Sequence, residues 1–379
     1  PPYRFNARHG VQMSRCHRHE EARALPRERV SSDDDSVRRS TQPGGRDHVP
    51  VLSATSVSKT FLRNGQSVCA VEDVSITLAA GETLGLVGES GSGKTTLAKL
   101  IVGLIAPDAG GTIELDGKPL PPRVQRRNDD QVKSLQIVFQ NPDAALNRAH
   151  SVKHLIGRAL SKLAALRGNA HDARLASLLD AVRLPRRYLG SRTRQLSGGL
   201  KQRVAIARAF AGDPRIVVCD EPTSSLDVSV QAAILNLLVD LQRGRGVSYV
   251  FISHDLNVVR YVSDRIAVLY VGRIVEIGDS RDVFDGPHHP YTEALLSAVP
   301  ALPGDASRAH VARVRLYGEP PSAAARPTGC VFQTRCPRKL GAICEQQDPP
   351  FADAGNGHLI RCHIPVSELR IVRQELQGA

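Results

Sequence analysis

Tryptophan is absent from the 379-residue chain, methionine occurs once, and Phe and Tyr bring the aromatic content to only 4%. So few rings argue against a nucleic-acid groove, where aromatics interleave with basic side chains. No apolar run reaches the roughly 18–20 residues that span a bilayer. The longest, near Leu100 to Ala106 and Tyr249 to Ile252, suit a buried helix or a parallel strand. Work at a membrane would therefore need spanning helices from other chains. A secretory signal is also missing, because residues 1–30 are polar and hold no apolar h-region. An intracellular, reducing setting is expected, in which clustered thiols point towards metal rather than disulfides.

Charge is not lacking. Fifty basic residues face 38 acidic ones, a net charge of +12. That balance is compatible with nucleic acid, anionic lipid headgroups or nucleotide phosphates. The basic residues are scattered, which reads as an Arg-rich surface, and no nucleic-acid partner is expected. Apolar content of 41% is ordinary for a globular protein. The length allows one large domain and a smaller one.

Three pieces are expected. Residues 1–49 are charged and broken by Gly and Pro, with the acidic run Asp33-Asp34-Asp35, and read as tail or linker. The chain opens on Pro1-Pro2 without an initiator Met, as a fragment or a processed form would. From 50 to 285, short apolar runs alternate with helical patterns. Leu84 to Val87, Leu135 to Phe139, Ile216 to Cys219, Ser248 to Ile252 and Ile266 to Tyr270 read as strands buried on both faces. The alternation predicts an α/β fold with a parallel sheet. Residues 143–212 are mostly helical in pattern and long enough for a helical subdomain. Residues 286–379 turn to Pro, short loops and clustered cysteine, a small appended domain.

Gly88-Glu89-Ser90-Gly91-Ser92-Gly93-Lys94-Thr95 matches the phosphate-loop pattern G-x-x-x-x-G-K-[ST] in full. It follows the strand Leu84 to Val87 and precedes the helix beginning near Thr96. Glycines let successive N–H groups face an anion, and the helix N-terminus adds its positive end. Lys94 can bridge β- and γ-phosphates, and the Thr95 hydroxyl can ligate Mg²⁺. Ile216-Val217-Val218-Cys219 then ends in Asp220-Glu221. Asp220 can hold the Mg²⁺ water shell, and Glu221 can polarise the water that attacks the γ-phosphate. These two motifs specify a P-loop NTPase without saying which kind.

Leu196-Ser197-Gly198-Gly199, followed by Leu200-Lys201-Gln202-Arg203, resembles the signature motif of ABC ATPases. Its position between phosphate loop and Asp-Glu pair is the family's. Ser197 and the N–H groups of Gly198 and Gly199 would form a second anion site at a helix start. The resemblance implies that this site serves the ATP of a second ABC ATPase domain, in cis or in trans. It further implies that Gln140 is the glutamine contacting Mg²⁺ and the attacking water, that Ser225-Leu226-Asp227 is the D-loop, and that His254 is the switch histidine at the γ-phosphate. Phe61 is the candidate aromatic that stacks on adenine. Leu200 stands where Gln is usual, and Arg148 where the peptide-uptake subfamily has Pro.

Gly286-Pro287-His288-His289-Pro290-Tyr291 resembles the His-Pro-Tyr extension of oligopeptide, dipeptide and nickel uptake ATPases. That family implies a peripheral subunit on the cytoplasmic face of the inner membrane. Its expected partners are two permeases and an extracytoplasmic substrate-binding protein, and its activity is ATP hydrolysis that powers import. Cys330, Cys336, Cys344 and Cys362 lie in the same extension. Four thiolates can bind Zn²⁺ or an iron–sulfur cluster. The absence of C-x₂₋₄-C pairs favours a [4Fe–4S] cluster over a zinc ribbon, and buried free thiols remain the alternative. Phe5, Arg8 and Cys16 echo the spacing of Phe332, Arg335 and Cys344, which would make residues 1–30 the end of a preceding ATPase half or a chance similarity. Two rivals stand beside transport: a soluble ABC ATPase acting on DNA or ribosomes, and a module that binds ATP without turnover. The short interval from Lys94 to Leu196 disfavours the first, and intact Glu221 and His254 disfavour the second.

Overall fold

The computed structural model describes residues 49–299 and 313–369, which fall within one compact unit, residues 48–379. The tail, with Phe5, Arg8 and Cys16, lies outside the described residues except for Val49. A small antiparallel sheet comes first. β1 (Leu52–Arg63) pairs along its length with β2 (Gln66–Leu78). Asn64-Gly65, both at positive φ, make the tight connection that the right-handed twist of a hairpin favours. β3 (Thr83–Val87) is buried at every position and leads through the phosphate loop into α1 (Lys94–Ile101). β4 (Thr112–Leu115) and β5 (Lys118–Pro119) complete the antiparallel sheet in the order β2-β1-β4-β5.

α2 (Asp129–Ser134), capped by Asn128, precedes β6 (Leu135–Val138). Four helices then intervene before the next strand: α3 (Pro142–Ala145), α4 (Val152–Leu163), α5 (Gly168–Ala181) and α6 (Gly198–Ala209). β7 (Ile216–Asp220), α7 (Val228–Arg245), β8 (Ser248–Ile252), α8 (Leu256–Val262), β9 (Arg265–Tyr270) and β10 (Arg273–Asp279) follow. The chain continues through α9 (Ser280–Asp285), α10 (Pro290–Ser297) and α11 (Ala342–Gln346) to β11 (Phe351–Asp353) and β12 (Leu359–Arg361).

The large sheet runs β11-β12-β10-β9-β3-β8-β7-β6. Its five strands from β9 to β6 are parallel, and they are the five expected from the apolar runs. β10 is antiparallel to β9, and β12 is antiparallel to β10. The extension therefore does not stand apart: its β11–β12 hairpin lengthens the main sheet at one edge, through Glu276↔Ile360 and Ile277↔Leu359. One apolar cluster lies between α4–α7 and the sheet, around Phe210, Leu237 and Phe251. A second, around Leu84, Leu97 and Ile252, ties α1 and the antiparallel sheet to the other side. A third joins β9 and β10 to the extension through Tyr270, Phe284, Tyr291 and Phe332.

Candidate functional site

Parallel strands place their loops at one end of a sheet, and ligands bind there. The loops after β3, β6, β7 and β8 meet at such an end around a cavity of about 540 Å³. Ser90, Gly91, Gly93, Lys94, Thr95 and Thr96 line one side. Gln140, Glu221 and His254 close over it from the neighbouring strands.

Gly93, at φ +105, allows the sharp entry into α1, and a Cβ there would strike the Ala70 carbonyl oxygen. Lys94 is buried and folds back over the loop, donating to the carbonyls of Gly88 at 2.7 Å and Glu89 at 2.8 Å. Burial lowers its pKa, a shift opposed by the charges of Glu221, Asp220 and Glu89. Thr95 donates its hydroxyl to Asp220 at 3.0 Å. Burial raises the Asp220 pKa against that hydrogen bond. A desolvated carboxylate beside a hydroxyl is a hard-oxygen pair suited to Mg²⁺, so the residues fit that ion.

Glu221 is the point of convergence. Gln140 donates to its Oε2 at 2.8 Å, and His254 Nδ1 faces the same oxygen at 3.4 Å. The Glu221 backbone sits at φ 45, a left-handed conformation uncommon for a residue with a Cβ. Its N–H is held by the Ile252 carbonyl at the end of β8, at 3.0 Å. The loops after β6 and β8 thus aim two side chains at one carboxylate oxygen carried by the loop after β7, beside a complete phosphate cradle.

Residues 71–224 match the ABC transporter family, and residues 275–344 match the oligopeptide/dipeptide transporter C-terminal region. A peptide import ATP-binding protein of Brucella abortus is 45% identical over 296 residues, covering 78% of this chain and 86% of that one. One from Brucella ovis is 41% identical over 317 residues, covering 83% and 97%. The chain belongs to this family of ABC ATPases. Among solved structures, an ATP-binding cassette dimer in a post-hydrolysis state bound to ADP and Pi is 29% identical. It superposes with a TM-score of 0.54 over 61% of this chain and 99% of that one.

In this ABC ATPase, Ser197 caps α6, its hydroxyl accepting from the Leu200 N–H at 3.5 Å. Ser197 and Gly198 are exposed and Gly199 is half-buried, and none of the three lines the cavity. A Cβ at Gly199 would meet Val230 of α7, so the signature turn and the helix after the D-loop approach too closely for a side chain. Asp227 caps α7 through the Val230 N–H at 2.9 Å and leaves Val228 84% exposed beside it. Lys201, on the signature helix, pairs with Asp143 at 2.9 Å, and Arg148 reaches the same carboxylate at 3.5 Å. That pairing links the segment after Gln140 to α6.

Gly88, Glu89 and Ser92 belong to the loop but do not line the cavity. Phe61 stands opposite Val68 in the β1–β2 ladder with Lys59 over its ring at 5.8 Å; Val68 and Ala70, not Phe61, line the cavity. Ala323, from the extension, lines it too. Its carbonyl accepts from the Cys69 N–H at 3.1 Å, a pairing across the chain that no local pattern signals.

Cys330 and Cys344 are buried, and Cys336 and Cys362 are half-buried. Burial pushes the Cys330 thiol up to about 12, reinforced by Cys362, Cys336 and Cys344. Cys336 is pushed up to about 11 by burial and by Cys362 and Cys344. The four thiols are neighbours. Yet among the described residues no group of three or more His, Cys, Asp or Glu side chains is placed to hold a metal ion. As placed they do not form the ligand set of a [4Fe–4S] cluster.

Proposed function

We propose that this ATPase is one of two nucleotide-binding domains that energise import of di- or oligopeptides across the cytoplasmic membrane. The observation that carries the reading is the Glu221 carboxylate, held by Gln140 and His254 over the phosphate loop. The relatives named for peptide import support the cargo class. In this reading Lys94 and the loop N–H groups hold the β- and γ-phosphates of ATP. Thr95 and Asp220 would hold Mg²⁺, which supplies neutralisation of phosphate charge. Gln140 and His254 orient Glu221 so that its Oε2 can accept a proton from the attacking water.

The Ser197–Gly198 turn is exposed and does not line this chain's own cavity, which supports its use on the ATP of a second ABC ATPase domain. Binding draws the two domains together, and hydrolysis releases them. The Asp143–Lys201 link beside Gln140 gives that movement a route to permease helices. No helix among the described residues is long and apolar enough to cross a membrane. The partners in this reading are two permeases, with an extracytoplasmic binding protein delivering the ligand, and the chain is peripheral on the inner face. Uptake of labelled di- and oligopeptides by cells with and without the gene tests it. Uptake should vanish with the gene and return with the intact chain but not with Glu221→Gln; undiminished uptake without the gene would sink the reading.

A further inference from the structure

Glu89, the first side chain inside the phosphate loop, is gripped on three sides. Its N–H donates to the Tyr291 hydroxyl at 2.8 Å, and its carbonyl accepts from Lys94 at 2.8 Å. Its carboxylate takes a two-pronged hydrogen bond from Arg335, at 2.8 Å and 3.2 Å. Two of these partners come from the extension, more than 200 residues along the chain. Tyr291 is wholly buried, its ring tilted against Tyr270 at 4.6 Å and Phe332 at 5.4 Å, so its hydroxyl has little freedom. The local sequence explains the aim: His289 caps α10 by accepting the Tyr291 N–H, Pro290 occupies the first turn, and the Tyr291 side chain then points at the loop. Arg335 is 8% exposed and Glu89 28%, so the pair is partly shielded from solvent.

A carboxylate in a phosphate loop is a liability, because a triphosphate brings several negative charges to the same place. Bidentate guanidinium–carboxylate pairing neutralises such a charge and fixes its geometry. We propose that Arg335 of the C-terminal extension is a positioning residue of the ATP site, cancelling the Glu89 charge so that the phosphate loop accepts a triphosphate. The proposal rests on the nucleotide reading above. It makes the extension a working part of the nucleotide site as well as an appendage of the fold.

The test is ATP affinity, measured by titration calorimetry with Mg²⁺ on the full chain, across a charge cycle. Arg335→Met should weaken ATP binding about tenfold, the size of a partly screened unit charge at short range. Weakening should be smaller for ADP, which carries less charge. Glu89→Gln should shift affinity the opposite way, tightening ATP a few-fold by leaving Arg335 unopposed. The double variant should return close to the unaltered protein, and Arg335→Lys should lie between. A structural clamp without an electrostatic role predicts weakening by every variant and no recovery in the double, which would overturn the proposal. Affinity unchanged in Arg335→Met while Lys94→Ala abolishes binding would overturn it and leave the nucleotide reading intact. Lys94→Ala binding ATP as before would overturn both. Should Arg335→Met not fold, the sign of the Glu89→Gln shift decides: tighter supports the proposal, weaker overturns it.

Discussion

The Glu276 carboxylate and the His358 imidazole meet at 2.8 Å, with exposures of 0% and 2%, where β10 packs against the extension. The other carboxylate oxygen accepts the His289 N–H at 2.8 Å. The group is fully desolvated, yet its hydrogen bonds and charge interactions with His288 and His358 outweigh burial and bring its pKa down to about 2, from an ordinary 4.5. Burial alone holds His289 down at about 4, from 6.5, with Glu276 opposing. In both cases the unfolded chain binds protons first. Stability from His289 is complete above about 6.5 and is lost as pH falls towards about 4; that from Glu276 is complete above 4.5 and is lost towards about 2. Thermal unfolding should therefore show a falling Tm from pH 6.5 downward. His289→Asn should flatten the upper part of that curve, and a Tm unchanged between pH 7 and 4 would contradict the assignment.

Breaking the same pair should be costly. Glu276→Ala leaves buried imidazoles and the His289 N–H without their partner, and about 3–5 kcal/mol of stability should go. Urea unfolding at pH 7 reads it. A loss below 1 kcal/mol would mean that the carboxylate is dispensable.

Glu221→Gln should lower kcat by roughly 10²–10⁴-fold while ATP still binds, because only the proton acceptor is removed. Steady-state turnover beside ATP calorimetry separates the two. Retained turnover would remove Glu221 from its role.

Gly93→Ala should weaken ATP binding roughly 5- to 150-fold. At φ +105, with the Ala70 carbonyl in the path of a Cβ, the loop must shift at a strain of about 1–3 kcal/mol. Calorimetry with ATP checks this, and normal affinity would show that the loop adapts.

The raised Cys330 and Cys336 pKa values predict slow alkylation. At pH 8 iodoacetamide should modify them at least about a hundredfold more slowly than a free cysteine near 8.5. Mass spectrometry of the modified peptides measures the rates, and labelling as fast as free cysteine would show those thiols to be more open.

Much was legible along the chain because the decisive chemistry is local. The phosphate loop needs glycines, a lysine and a threonine in one turn between strand and helix, so its pattern and its place coincide. The five parallel strands are buried on both faces and read as unbroken apolar runs, all of which appear in the sheet. The antiparallel strands β1 and β2 carry mixed polarity, because one face is wet, and they did not stand out. The resemblance to ABC ATPases makes Phe61 the candidate aromatic for adenine, whereas the cavity is lined by its cross-strand neighbour Val68.

The sequence by itself determined what the chain can do to a phosphate. In the proposed reading Gly88 to Thr95, Asp220-Glu221 and the signature at Ser197 carry that, each as a short run whose backbone and side chains act together. Only the tertiary structure decided who steadies Glu89, where Ala323 lies, and which oxygen Gln140 and His254 share. Those relationships join residues tens to hundreds of positions apart. They exist because one continuous sheet brings β10, β12 and the loops after β3, β6, β7 and β8 into a single packed body, and no local pattern encodes that closure.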